Sequence, residues 1–305
     1  MSDKIKRNLL TVSMAVLMVM ISEVLGEREI IFPEIVALLI GMLLTEKQPW
    51  IVSKPMLVTT ISLSAVVGVC IVRYLHVHML IQLAVAFIYI AAAMIISRST
   101  FAPMISACLL PILIRTESII YPVSVFIMST ILVILRGWLE NMKLVERVQT
   151  TRCELNLRSE LVKWLELFAI YILAATIPVI IGNYYFIAPP LVVIFVSISS
   201  KDSPLRKIPV KIVLLTAVAA LIGTLSRYCF AEFLSLPLTV AALAAILLLL
   251  AVLKMSDVYL PPLGAILYLP LILPAEGLWL YPIEVTVGAA VFTACGMLFG
   301  KCKQL

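Results

Sequence analysis

Apolar runs separated by short polar turns divide this 305-residue chain into twelve segments, at 9–25, 30–44, 56–72, 79–96, 101–114 and 119–135, then 164–181, 186–199, 212–225, 237–253, 260–273 and 278–299. Runs of this length and apolarity predict membrane-embedded helices. The second and fifth segments of each half, at 30–44, 101–114, 186–199 and 260–273, hold only 14 or 15 residues. At 1.5 Å per residue they reach about 21 to 22 Å, short of a hydrocarbon core of roughly 30 Å.

The pattern also repeats. Gly26 and Pro33 recur as Gly182 and Pro189 at an offset of 156, and Pro103, Pro111 and Glu117 recur as Pro262, Pro270 and Glu276 at an offset of 159. The expected architecture is all-α, a polytopic transmembrane bundle of two tandem six-segment repeats with short broken helices. Residues 1–140 form the first membrane repeat, 141–163 a cytoplasmic charged linker and 164–305 the second membrane repeat. Six crossings per repeat return the chain to the same side, so the two copies are expected to be parallel and related about the membrane normal. Mixed charge over 137–163 predicts a linker helix at the membrane surface.

Composition agrees with a membrane setting: 63% hydrophobic and 13% charged residues, with a mean hydropathy of +1.15, lie far from soluble usage. The first apolar run lacks a small-residue cleavage pair and reads as a retained helix. With the amino terminus inside, 19 of the 23 Lys and Arg residues fall on the inner side and only Arg28, Arg73, Arg115 and Arg227 outside. That bias predicts both termini in the cytoplasm and a location in the bacterial cytoplasmic (inner) membrane. The net charge of +6 is therefore a topology signal, and no nucleic-acid partner is expected.

Proline stands near the start of each short segment, as Pro33, Pro103, Pro189 with Pro190, and Pro261 with Pro262. Proline suits a first helical turn, and the segments are expected to present unpaired amides and positive dipole ends to a small anion. A tilted core helix ended by a proline-rich turn is the alternative. Candidate binding residues are Pro33, Glu34, Pro103, Pro189, Pro262 and Gly264. Glu34 has Pro190 as its counterpart, so it adds an acidic asymmetry, or else serves only as a first-turn acid favourable to the helix dipole. Arg73, Arg115, Glu117, Arg227 and Glu276 are candidates for a gate or vestibule, with interfacial snorkelling as the other reading. Gly68 and Gly223 suggest close helix packing.

His76 and His78 lack a third ligand, and the six cysteines are scattered singly, so neither a metal nor a cofactor is expected. No catalytic constellation, Walker loop or dinucleotide fingerprint occurs in the sequence, which argues against an enzyme.

The stretch Leu260-Pro261-Pro262-Leu263-Gly264-Ala265 resembles the signature of the HPP family of membrane proteins, a His-Pro-Pro motif followed by Gly-Ala, with the histidine replaced. Residues 189–209, including Ser203, Pro204 and Pro209, resemble that family's first conserved block, and Gly223 falls where its helix glycine stands. In the first half, Phe101-Ala102-Pro103 keeps one proline and Ile105-Ser106 replaces Gly-Ala. The resemblance implies small-anion transport of the nitrite type. A more general similarity is to the fusaric-acid-resistance type of aromatic acid exporters.

The leading expectation is a secondary transporter or channel for a small anion, bound at the interface of the two repeats, with the lipid bilayer as its setting and a homo-oligomer as a further option. An exporter of organic or aromatic acids and a non-transporting membrane scaffold or subunit are the alternatives.

Overall fold

The computed structural model describes residues 3–45, 48–147, 156–200 and 203–302. Lys47, Arg152, Cys153, Glu154, Lys201 and Lys303, which entered the charge and cysteine arguments, lie outside them. The described chain is all-helical, and its α-helices are α1 Asp3–Leu25, α2 Pro33–Leu39, α3 Lys54–Tyr74, α4 Met79–Ser97, α5 Pro103–Ile114, α6 Ile120–Asn141, α7 Leu157–Ile181, α8 Pro189–Ser199, α9 Pro209–Ser226, α10 Leu238–Ser256, α11 Pro262–Tyr268 and α12 Tyr281–Cys302. A π-helical stretch, Ile40–Leu44, prolongs α2, and another, Arg227–Phe233, prolongs α9.

Eight of these helices (α1, α3, α4, α6, α7, α9 with its extension, α10 and α12) are long and apolar enough to cross a membrane. The protein is a multi-pass membrane protein. Their outward faces carry exposed Leu, Ile and Val, such as Ile96, Leu173, Ile177 and Ile180, side chains that lipid rather than water would cover.

The four remaining helices sit inside. Every residue of α2 and α11 is buried, as are all of α5 except Ile114 and all of α8 except Ser197. They form a closed ring, α2 against α5, α5 against α8, α8 against α11 and α11 against α2. Around it, α3 packs on α5 and α6, α9 packs on α11 and α12, α1 crosses to α10, and α4 crosses to α7. Glu23 of α1 fastens one of these crossings: its carboxylate accepts hydrogen bonds from the Leu238 amide at 2.5 Å, the Thr239 amide at 2.8 Å and the Thr239 hydroxyl, capping the start of α10.

The charged stretch at 137–163 does not make a helix of its own in its described part. α6 runs on to Asn141 and α7 starts at Leu157, so the divisions at 140 and 163 fall inside helices, and residues 148–155 lie outside the description. Charged residues at a span's end continue the helix into the interface, where their heads stay wet while their stems cover apolar surface.

Proline within a buried helix leaves a carbonyl without its amide four residues on. Pro111 orphans Ala107, and the Tyr121 hydroxyl donates to that carbonyl at 3.1 Å. Pro270 likewise orphans Ile266, which accepts from the Tyr281 hydroxyl at 2.7 Å. Glycines let the adjacent helices approach: a Cβ at Gly68 would lie 2.4 Å from the Cys108 carbonyl oxygen, and one at Gly223 would lie 2.2 Å from that of Leu267.

Gly68→Ala and Gly223→Ala are therefore expected each to lower stability by about 1–3 kcal/mol through overpacking, whereas Gly137→Ala, whose Cβ would meet only Lys54 Nζ at 3.5 Å, is expected to be neutral. Thermal unfolding of the purified protein in detergent measures the difference. In the same assay Tyr121→Phe is expected to cost about 1–3 kcal/mol by stranding the Ala107 carbonyl. Adding Pro111→Ala, which restores an amide to that carbonyl, is expected to recover most of the loss, and an additive double variant would refute the pairing.

Candidate functional site

The four short helices point their first turns at one another. Glu34 and Ala37 of α2, Pro103 and Ser106 of α5, Pro190 and Val193 of α8, and Pro262 and Ala265 of α11, joined by Pro261 and Trp50, line a cavity of about 10 Å³ measured as the space open to the centre of a water molecule. That is room for about one water.

Glu34 is the one charged residue of the lining. It is 1% exposed, and neither carboxylate oxygen has a hydrogen-bond partner within 3.5 Å, the Ser106 hydroxyl of the same lining being its polar neighbour. No Lys, Arg or His lines the cavity. An isolated buried carboxylate is expensive, and the electrostatic compensation on hand is the field of helix ends. α5 and α8, with 12 and 11 residues, are long enough for their positive ends to act on it.

The opposite, negative ends of the short helices meet arginines. Arg136, 1% exposed, donates to the Met42 carbonyl at the end of the α2 extension, to the Glu146 carbonyl at 2.7 Å and to Glu140 at 3.1 Å. Lys54 completes that network, its Nζ 2.5 Å from Glu140. Arg206 donates to the Ile198 carbonyl of α8 at 3.0 Å. Arg227 donates to the Pro270 carbonyl at 2.5 Å and to that of Leu273, just past α11, while pairing with Glu232 at 3.1 Å. Arg115 occupies the left-handed C-cap of α5, with its guanidinium on the Tyr184 hydroxyl at 3.1 Å. Cations at helix carboxyl ends are favourable, and here they leave the positive ends facing inward.

Among the candidates named from sequence, the structure brings Glu34, Pro103 and Pro262 into one lining, while Pro33 and Pro189 are buried one residue away from Glu34 and Pro190, which reach it. Gly264 instead seats α11 on α2, since a Cβ there would lie 2.8 Å from the Val36 backbone. Arg73 and Arg227 are not a matched pair. Arg73 is exposed over the Tyr74 ring at 5.8 Å, whereas Arg227 is buried in its network. Glu117 and Glu276 are exposed in turns, and Arg115 turns to Tyr184 rather than to Glu117.

The expectation of unpaired amides at the tips is corrected. The tip prolines have no N–H, and four first-turn amides behind them close tight turns: Ile35 to Phe32 at 2.9 Å, Ile105 to Ala102 at 2.9 Å, Leu191 to Ala188 at 2.8 Å and Gly264 to Pro261 at 3.0 Å. Pyrrolidine rings and aliphatic groups make up most of the cavity wall. Ser106 supplies its one hydroxyl, and Trp50, in edge contact with Phe101 at 5.7 Å, forms part of its wall. Sequence reading missed both, although a lone serine in a buried apolar run was a usable signal.

Neither a protein-family model, nor a curated protein sequence, nor a solved structure matches this chain.

Proposed function

We propose that the protein is a secondary transporter or channel for a small, nitrite-like anion, seen closed, with its substrate site at the cavity among the four short helices. One observation carries this reading: four helices too short to span a membrane, all wholly interior or nearly so, direct their first turns to a common point that holds a buried, unpartnered carboxylate. Broken helices meeting inside a bundle are the usual construction of a substrate site in secondary transporters. The positive ends of α5 and α8 face this cavity and no cation lines it, which suits a small anion. A lining of proline rings selects for size and weak hydration rather than for directed hydrogen bonds.

The chain is best understood as two parallel six-segment repeats. Support comes from paired contacts: Tyr121 on Ala107 with Tyr281 on Ile266, Gly68 against Cys108 with Gly223 against Leu267, and Gly26 with Gly182 at positive φ after α1 and α7. The reciprocal crossings of α1 on α10 and α4 on α7 have the form expected when two copies exchange their first helices. The HPP-like Pro261-Pro262 pair and Gly264-Ala265 lie at the proposed site or its α2 contact. Both termini are assigned to the cytoplasm of a bacterial cell from the lysine and arginine distribution. Alternating access would then come from rocking of one repeat against the other, opening the ring on either side.

The tight packing of the ring favours a second reading, a structural subunit that carries nothing. Flux into liposomes separates the two. Wild-type protein is expected to admit nitrite, nitrate or chloride faster than protein-free vesicles, Ser106→Leu to reduce that flux by about tenfold or more by filling the cavity, and Arg73→Gln to leave it unchanged. Wild-type vesicles indistinguishable from empty ones for all three anions would leave the structural reading.

A further inference from the structure

Resting on the anion-transport reading above, we infer that Glu34 is the proton site that couples transport, so that the anion binds only when Glu34 is protonated and the two cross together as a symport. Geometry carries the argument. The carboxylate and the anion would share one cavity of about 10 Å³, and two negative charges at such separation in a medium of low dielectric repel strongly. No cation lines the cavity to offset the second charge. The ionised carboxylate therefore holds the positive region at the ends of α5 and α8 against other anions. Protonation removes one charge, and the arriving anion restores it. Proton and anion each raise the affinity for the other, because the linkage is reciprocal.

The surroundings leave Glu34 as the group that must take the proton. The titratable side chains that interact with it are Tyr121 of α6 and Tyr281 of α12; the neighbouring helices α5 and α11 also carry Cys108 and Tyr268, and α12 carries Glu284, whose carboxylate accepts from the Tyr185 amide at 3.2 Å. The three tyrosine hydroxyls are engaged as donors to the carbonyls of Ala107, Ile266 and Ala242. The buried face of α1 and all of α8 carry no titratable side chain. At the position 156 residues on, Pro190 lines the same cavity and cannot titrate. One proton per anion follows as the stoichiometry.

The experiment loads liposomes containing the full chain with pyranine and adds nitrate or chloride outside, with protein-free vesicles subtracted. Wild-type vesicles are expected to acidify internally as the anion enters, and the anion flux is expected to rise as external pH falls. E34Q, which mimics the protonated state at the same size, is expected to pass the anion with a flux independent of pH and with no pyranine signal. E34D, which keeps a carboxylate one methylene shorter, is expected to keep coupling with a displaced pH midpoint, and it carries the test alone if E34Q fails to insert. Proton movement retained in E34Q, a flux–pH profile in E34D identical to wild type, or internal alkalinisation by the wild type would overturn the inference and leave anion transport standing. Absence of anion flux in wild-type vesicles would overturn the transport reading itself, and the inference with it.

Discussion

A carboxylate held out of water without a cation constrains everything placed around it. Glu34 is 1% exposed and unpartnered, and a full charge there would be intolerable in an ordinary apolar core. The surrounding ring answers with orientation rather than with countercharge. First turns face inward, and arginines take the outward carbonyl ends of α2, α8 and α11. Had those arginines lined the cavity, they would have formed an ion pair with Glu34 and fixed its charge state. Stationed at the far ends, they satisfy the carbonyls and leave the carboxylate without a countercharge.

Breaking helices inside a membrane exposes backbone that lipid cannot satisfy. The ring tolerates its breaks because many of the groups they would expose have a protein partner. Prolines remove amides at the tips, tight first turns use the next ones, and tyrosines reach the carbonyls stranded by Pro111 and Pro270. Gly68 and Gly223 let the supporting helices α3 and α9 press on that same backbone, where a side chain would hold them off. Any opening of the ring that kept these contacts would proceed by movement of whole helices and not by fraying.

The sequence made the segments legible because hydrophobic length and proline position are local properties. The four undersized runs at 30–44, 101–114, 186–199 and 260–273 all became interior helices, and three of the expected site residues, Glu34, Pro103 and Pro262, line one cavity. What was not legible depended on partners distant in the chain. Burial of Arg136 rests on the Met42 and Glu146 carbonyls, and Glu23 caps a helix more than two hundred residues away. The carbonyl-satisfying tyrosines had a signal that went unused, the Tyr-Pro dipeptides at Tyr121-Pro122 and Tyr281-Pro282. Free amides were expected at the tips from the helix rule alone, and that rule omits how proline tightens the turn behind it.

Under the duplicated reading, the differences between the copies matter more than their likeness. A symmetric site with an acid from each half would place two carboxylates within one small cavity, and one of them would stay neutral under the other's charge. Proline at 190 in place of a second glutamate avoids that frustration. Arg227 is buried where Arg73 is exposed, so the two halves also differ in how their fifth helices end: the end of α11 meets a guanidinium, whereas α5 ends on its own Arg115 cap and the Tyr184 hydroxyl. α5, the helix that brings Pro103 and Ser106 to the cavity, is held instead by its packing against α2, α3, α4 and α8.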